Sequence, residues 1–136
     1  MLIIDTYLDR SSLHGIGVFA AEDVARGRVV WEFNPLLDLE FTAAQWREMQ
    51  RQAAPASFKH IRRYSYKENN RFYLCVDNAQ FMNHSNDAAN VANDKTSNTM
   101  VASTDIRKGE ELLCNYFEYC DSDDFNLRQI RQDHGS

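Results

Sequence analysis

Short runs rich in β-branched and aromatic residues recur along the whole chain, separated by Gly, Asn and Asp, and they constrain the fold more than any other feature. Such runs favour β-strands because their side chains pack well on a pleated surface. With 136 residues, 43% of them hydrophobic, the chain is long enough for one core. We therefore expect a single, mainly β domain whose strands lie at residues 2–8, 18–20, 28–33, 71–76, 99–104 and 111–117.

One segment departs from this pattern and predicts a helix at residues 42–54. Thr42 and Gln45 have the spacing of a capping box, and from Trp46 onward the apolar residues recur at helical spacing. Pro55 is expected to end this helix, since proline interrupts helical hydrogen bonding.

A second, shorter helix is predicted near the end of the chain. The acidic residues at positions 121–124 supply several N-caps, and the helix would run to about Arg131. Its few apolar residues indicate that this segment is weakly held or docks on another surface.

Several classes of protein are disfavoured by composition. The first ten residues lack the basic start and long apolar stretch of a secretory signal, and no segment approaches the roughly 18 apolar residues of a membrane span. We expect a soluble cytoplasmic protein without a membrane partner, although delivery to a host cell or nucleus by a non-classical route stays open.

The net charge of -5 would repel a phosphate backbone, so no direct nucleic-acid partner is expected. Acidity could attract a Lys-rich peptide, but it is also ordinary for soluble proteins.

The three cysteines give no sign of a disulfide framework or of a metal site. Cys75, Cys114 and Cys120 cannot all pair within one chain, and they lack C-x-x-C spacing. A site built from His84, Cys114 and carboxylates would lack the usual ligand spacing. We expect reduced thiols and no metal.

The segment His14-Gly15-Ile16-Gly17 places two glycines just before a predicted strand. Glycine lets the backbone take a positive φ or approach a ligand closely. The segment lacks the third glycine and the following helix of a dinucleotide site. Taken alone, the segment is better explained by a tight turn than by a binding loop.

The segment Asn83-His84-Ser85 follows the apolar pair Phe81-Met82 and carries three side chains that form hydrogen bonds. These could satisfy backbone groups, as a buried structural histidine would, or read the edge of an adenine. A Ser-His hydrolase is disfavoured because adjacent residues rarely point toward each other and no nucleophile elbow is present.

The segment from Glu110 to Phe117 begins at a turn and then alternates, which would place Leu112, Cys114 and Tyr116 on one face of a strand. Taken alone, this pattern favours a core tyrosine at Tyr116 over a functional one.

The order of three motifs resembles the SET domain family of protein lysine methyltransferases. These motifs are the glycine turn, the Asn-His-Ser segment and the Gly-Glu-Glu-Leu strand ending in Tyr. The short chain is most similar to the small stand-alone microbial and viral members of this family. The resemblance covers roughly residues 3–119. It implies several small curved sheets of the SET/β-clip type, with a threaded C-terminal strand that brings Tyr116 beside Asn83 and His84. One SET domain would occupy residues 1–120, with its helical insert at 35–60.

The resemblance also implies S-adenosylmethionine as the cofactor and lysine methylation of a histone-like or other protein as the activity. A SET-like module that binds cofactor or protein without transferring a methyl group is the alternative. Tyr116 and Tyr64 would be the catalytic tyrosines. Tyr66 and Phe117 would be candidates for the lysine channel, and the cofactor would contact Gly15, Ile16, Gly17, Asn83 and His84, with Tyr119 or Phe125 over its adenine.

Several departures from the family pattern accompany the resemblance. Asn115 and Phe117 replace the Asp and Gly that usually flank the catalytic tyrosine, and the loop after Ser85 is altered. The zinc-binding cysteines that follow many SET domains are missing, so residues 121–136 or a second subunit would have to close the pocket. Whether the chain forms a homodimer is left open.

Overall fold

The computed structural model of the protein describes residues 1–133. Within this range the chain forms ten short strands and three short helices. In chain order they are β1 (Thr6–Arg10), β2 (Ile16–Ala20), β3 (Val29–Glu32), β4 (Asp38–Phe41), α1 (Ala43–Gln52), α2 (Pro55–Tyr64), β5 (Tyr66–Glu68), β6 (Arg71–Cys75), β7 (Asn83–His84), β8 (Val91–Asp94), β9 (Thr99–Ala102), β10 (Leu113–Cys114) and α3 (Phe125–Asp133). Two 3-10 turns, Asn78–Phe81 and Tyr116–Glu118, flank the site described below.

The strands form four small sheets instead of one large one. An antiparallel pair joins β1 to β2, and two antiparallel sheets have the orders β3-β9-β8 and β4-β6-β5. The fourth sheet is a parallel pair of β7 and β10. The mainly β class with several small sheets and short helices, as predicted, is therefore confirmed.

The core lies where these sheets meet. It consists mostly of small and branched apolar side chains, which suit the tight spacing between short strands. The most deeply buried members are Val18, Ala20, Val24, Val30, Val91, Ala102, Ile106 and Leu112.

The predicted helix after residue 42 is confirmed, but its expected end is not. Thr42 caps α1 with both hydrogen bonds of a capping box. Pro55, however, occupies the first turn of a second helix, α2, and so begins helical structure instead of stopping it. The first helical position tolerates proline because its N–H has no partner within the helix. The sequence analysis missed α2.

The prediction of one strand over residues 111–117 is also wrong. Only β10 pairs as a strand, and the chain then turns, because the Asn115 side chain accepts a hydrogen bond from the Phe117 N–H at 3.0 Å. Such a local bond competes with strand pairing. Tyr116 therefore lies in a 3-10 turn.

Other strand boundaries differ to a smaller extent. The first strand begins at Thr6, since Leu2 instead forms an isolated bridge with Trp31. The strands β4, β5, β7 and β8 were not predicted, and each of them is only two to four residues long.

The short C-terminal helix is confirmed as α3. Asp124 caps it by accepting a hydrogen bond from the Leu127 N–H at 3.0 Å. The predicted pocket-closing tail at 121–136 extends beyond the described residues, since positions 134–136 lie outside them. No helix within residues 1–133 combines the length and apolar character needed to cross a membrane.

Candidate active site

The parallel pairing of β7 with β10 builds the centre of the candidate site. Leu113 lies opposite Asn83, and Cys114 lies opposite His84. The next turn then brings Tyr116 against His84, where the Tyr116 N–H donates to Nδ1 of His84 at 3.0 Å and the two rings lie 5.0 Å apart.

The Tyr116 hydroxyl is oriented by one hydrogen bond. It donates to the Met82 carbonyl oxygen at 2.7 Å. Burial is the main cause that raises the pKa of Tyr116 well above its ordinary value, so the phenol stays neutral at physiological pH. A phenol oxygen that donates its one proton still has lone pairs with which to accept a hydrogen bond.

Tyr116 forms part of the wall of a cavity of about 70 Å³. The wall is mainly aromatic and sulfur-bearing, with two carboxyl groups, Glu68 and Asp124, whose pKa values burial raises. Aromatic rings and carboxylates both attract a cationic group. The aromatic and sulfur-bearing residues are Trp31, Tyr64, Tyr66, Cys75, Phe81, Met82, Met100, Cys114, Tyr116, Tyr119 and Cys120.

The tyrosines of the cavity contact one another and so fix its shape. Tyr119 packs edge-on against Tyr66 and Tyr116, with ring centroids 5.4 and 6.1 Å apart. Tyr64 approaches from the end of α2 and packs against Phe81 at 5.0 Å. Burial raises the pKa of Tyr66 and Tyr119 well above the ordinary value, so these phenols are also neutral.

The glycine turn, residues 14–17, contacts the side chain of Asn83. Gly15 has φ +50°, and its missing side chain would meet no atom within 4 Å. The Asn83 side-chain amide donates to the carbonyl oxygens of His14 and Ile16 at 2.9 and 3.2 Å. Asn83 thus connects the turn to the cavity that it also lines.

The Glu111 side chain also supports the glycine turn. The sequence analysis did not single out this side chain. Its carboxylate accepts hydrogen bonds from the Asn83 amide at 3.0 Å and the Ser11 hydroxyl at 2.9 Å. A Cβ atom on Gly17 would lie 2.1 Å from Oε1 of Glu111, so this close approach explains the glycine. Glu111 belongs to the recognised Gly-Glu-Glu-Leu motif, which was the available signal.

The structure brings together some of the predicted site residues and separates others. Tyr64, Tyr66, Asn83, Tyr116 and Tyr119 line the cavity. Those outside its wall are Gly15, Ile16, Gly17, His84, Phe117 and Phe125.

Two of the residues outside the wall, Phe117 and Phe125, make other aromatic contacts. Phe117 is 44% exposed, with its ring 5.6 Å from that of His84. Phe125 lies under the guanidinium group of Arg62, whose central carbon is 4.2 Å from the ring centre. The predicted roles of both residues stay predictions.

Metal-binding geometry is absent from residues 1–133, where no three His, Cys, Asp or Glu side chains converge as ligands. The three cysteines are free thiols. Burial raises the pKa of Cys114 to about 12, which keeps this thiol protonated and unreactive.

A family model described as the SET domain matches residues 15–117. A search of curated proteins found no match to the sequence. Among solved structures, a candidate histone methyltransferase of Plasmodium falciparum aligns at 23% identity with a TM-score of 0.53, over 83% of this chain and 93% of that one.

Two further structures align with this chain along only part of their own length. The Neurospora SET domain protein DIM-5, a histone lysine methyltransferase, aligns at 20% identity with a TM-score of 0.52, over 85% of this chain and 53% of its own. The Chaetomium thermophilum Polycomb Repressive Complex 2 bound to S-adenosylmethionine aligns at 20% identity with a TM-score of 0.61, over 96% of this chain and 17% of the other. At these identities the likeness concerns the fold.

Proposed function

Because the chain belongs to the SET domain family, we propose that it transfers a methyl group from S-adenosylmethionine to the side-chain amine of a lysine in a protein. The observation that carries this proposal is the neutral Tyr116 hydroxyl at the wall of an aromatic cavity, fixed beside His84 and Asn83. The proposed partner is a lysine-containing protein or peptide.

The described residues fit this cofactor. Its cationic sulfonium group suits a cavity of aromatic rings with Glu68 and Asp124 in the wall. Beside Asn83, the space next to Gly15 is open where any side chain would project. The turn Gly15 to Gly17, the Asn83 side chain and the His84 main chain would hold the cofactor. Tyr119, which lines the cavity, would be the aromatic residue that contacts it. When bound, the cofactor supplies a methyl group that is already strongly electrophilic.

The protein's main task is then to present a neutral amine in line with that methyl group. A free lysine has a pKa near 10.4, so removing its proton at pH 7 costs about 4.6 kcal/mol. A narrow aromatic cavity beside a cation lowers this cost through desolvation and like-charge repulsion. No side-chain general base is required.

Tyr116 and Tyr64 orient the amine. The Tyr116 hydroxyl has its proton engaged with the Met82 carbonyl, so its oxygen accepts a hydrogen bond from the amine. Tyr64 closes the cavity from α2 and presents its ring to the cationic head of the incoming lysine.

The test is a methyl-transfer assay with two tyrosine variants. Wild-type protein, methyl-labelled S-adenosylmethionine and lysine-containing peptides or cell lysate should give label on lysine. Tyr116→Phe should lower kcat by about 100-fold, the loss typical of removing an oriented polar contact in the transition state. Tyr73→Phe is the matched control, because its hydroxyl bonds to Glu40 outside the cavity wall and should keep the wild-type rate.

Calorimetry with S-adenosylmethionine completes this test. Binding with no transfer to any peptide or lysate protein would favour the alternative, a SET-like binding module. No detectable binding would refute the proposed function, and a wild-type rate in Tyr116→Phe would remove Tyr116 from its role.

A further inference from the structure

A second groove lies beside the cavity, between α2 and the first residue of α3. It has a concentrated positive charge, since Lys59, Arg62 and Arg63 all line it and no acidic residue does. This is unusual in a chain whose net charge is -5. We call it the α2–Phe125 groove, and its lining is Ala56, Lys59, His60, Arg62, Arg63, Tyr64 and Phe125.

The charges of this groove are not neutralised from within the described chain. Elsewhere in residues 1–133, four basic side chains have carboxylate partners, namely Arg28, Arg51, Lys67 and Arg71. In the groove, by contrast, none of Lys59, Arg62 and Arg63 has an ion pair within that range.

The two arginines of the groove are held in place by neutral groups. Arg63 donates to the side-chain oxygen of Asn126, a neutral acceptor, at 2.9 Å. Arg62 lies over the Phe125 ring at 4.2 Å, and its buried Nε has no acceptor within residues 1–133. Stacking on a ring leaves the planar edge of a guanidinium group available for an anion. The groove therefore presents positioned cations that lack an anion.

The groove is continuous with the candidate active site. Arg63 and Tyr64 line both the groove and the cavity, so a ligand in one lies next to the other. An extended peptide advances about 3.3–3.6 Å per residue. A peptide whose lysine enters the cavity would pass the groove within a few positions of that lysine.

We propose that the α2–Phe125 groove binds the carboxylate of an Asp or Glu in the protein substrate, and that substrates carry this acidic residue within a few positions of the methylated lysine. The proposal rests on the proposed function and narrows its substrate class. Guanidinium groups recognise carboxylates in a paired, directional way, which suits a single acidic side chain. A nucleic acid is disfavoured because the net negative charge of the chain would repel a phosphate backbone over its length.

The experiment compares peptides that differ in one flanking residue. Peptides with a central lysine carry a single Glu, or Gln in its place, at each position up to four residues away. Binding is measured by fluorescence anisotropy and methylation by mass spectrometry. For at least one position we expect the Glu peptide to bind about fivefold more tightly than its Gln counterpart, with the difference falling as salt is raised.

Charge-changing variants place the preference in the groove. Lys59 is exposed, so Lys59→Glu should remove the preference for Glu, and Lys59→Gln should reduce it. Arg47→Glu is the matched control, since Arg47 is an exposed basic residue on the neighbouring helix α1 and should keep the preference. Circular dichroism verifies that each variant is folded.

The outcomes separate this proposal from the proposed function. Equal binding of Glu and Gln peptides at every position would overturn the groove proposal even if lysine is methylated. A Glu preference lost in Lys59→Glu, without methyl transfer to any peptide, would support the groove and count against the proposed function. An oligonucleotide that displaces the peptide and loses binding in Lys59→Glu would overturn the acidic-peptide assignment in favour of nucleic acid.

Discussion

Gly17 and Glu111 occupy the same small volume, and this contact is the tightest constraint on the glycine turn. The missing Cβ of Gly17 leaves room for a carboxylate that binds both Asn83 and Ser11. Gly15, by contrast, faces open space and is constrained by its positive φ alone. The two positions therefore require glycine for different physical reasons.

This difference predicts an order of stability for two variants. Gly17→Ala should lower the free energy of unfolding by about 2–3 kcal/mol, as overpacking does. Gly15→Ala should cost about 1 kcal/mol, the strain of a left-handed backbone. Urea denaturation measures both values. In a Glu111→Ala background the cost of Gly17→Ala should shrink while that of Gly15→Ala stays the same. An unchanged cost of Gly17→Ala in that background would contradict the contact.

At the scale of elements, the Asn126 side chain makes the hydrogen bonds that attach α3 to the end of α2. The Asn126 amide donates to the carbonyl oxygens of Arg63 and Ser65 at 2.9 and 3.2 Å, and its oxygen accepts from Arg63. These bonds fix the segment that carries Tyr64 into the cavity wall. A polar residue in the last helix thereby positions an aromatic residue of the candidate site.

Asn126→Ala should therefore affect stability and substrate binding together. Loss of these buried hydrogen bonds should lower the free energy of unfolding by about 2 kcal/mol. KM for the peptide should rise more than kcat falls, because Tyr64 loses its support while Tyr116 does not. Gln129→Ala, on the exposed face of α3, is the control and should leave both quantities at wild-type values. A loss of stability with unchanged KM would limit Asn126 to a structural role.

The elements also show what the sequence could predict. The capping box at Thr42 is local chemistry, so α1 was predicted with nearly its observed bounds. The helix α2 was missed because a proline marks a helix start as well as a helix end, and only packing decides between them. The short strands β4 and β5 carry little periodicity and depend on pairing with β6.

For the site, motif order predicted the neighbourhood of Asn83, His84 and Tyr116, which the pairing of β7 with β10 produces. It did not predict that Phe125 lies under Arg62 or that Glu111 supports the turn. Both are contacts between side chains distant in sequence, and no local pattern encodes them. Spacing gives neighbours along one strand, whereas tertiary packing selects partners across the molecule.

At the scale of the whole molecule, three cysteine thiols line the cavity, and burial keeps them protonated. Burial raises the pKa of the thiols Cys75, Cys114 and Cys120 above their ordinary value, to about 12 for Cys114. In the unfolded chain a thiol loses its proton near pH 8.5. Above that pH the folded state holds more protons than the unfolded state, so stability must fall as pH rises.

The thiols should accordingly add no pH dependence to the free energy of unfolding below about pH 8 and should make it decline above about pH 8.5. Each protonated thiol adds up to about 1.4 kcal/mol per pH unit to this slope. Denaturation in urea at a series of pH values, with reductant present, measures the decline. Cys114→Ala should give a shallower slope than wild type, and a stability that is independent of pH up to 10 would refute the assignment.

The hydrogen bond between Ser11 and Glu111 joins residues 100 positions apart. During synthesis the glycine turn leaves the ribosome early, but its supporting carboxylate and Tyr116 emerge only after most of the chain. Contacts of such long range slow folding, because the connecting loop must be ordered before they form. The glycine turn is thus among the first segments made and among the last to acquire its final shape, so a nascent chain that stops short of β10 would expose an unsupported turn to chaperones and proteases.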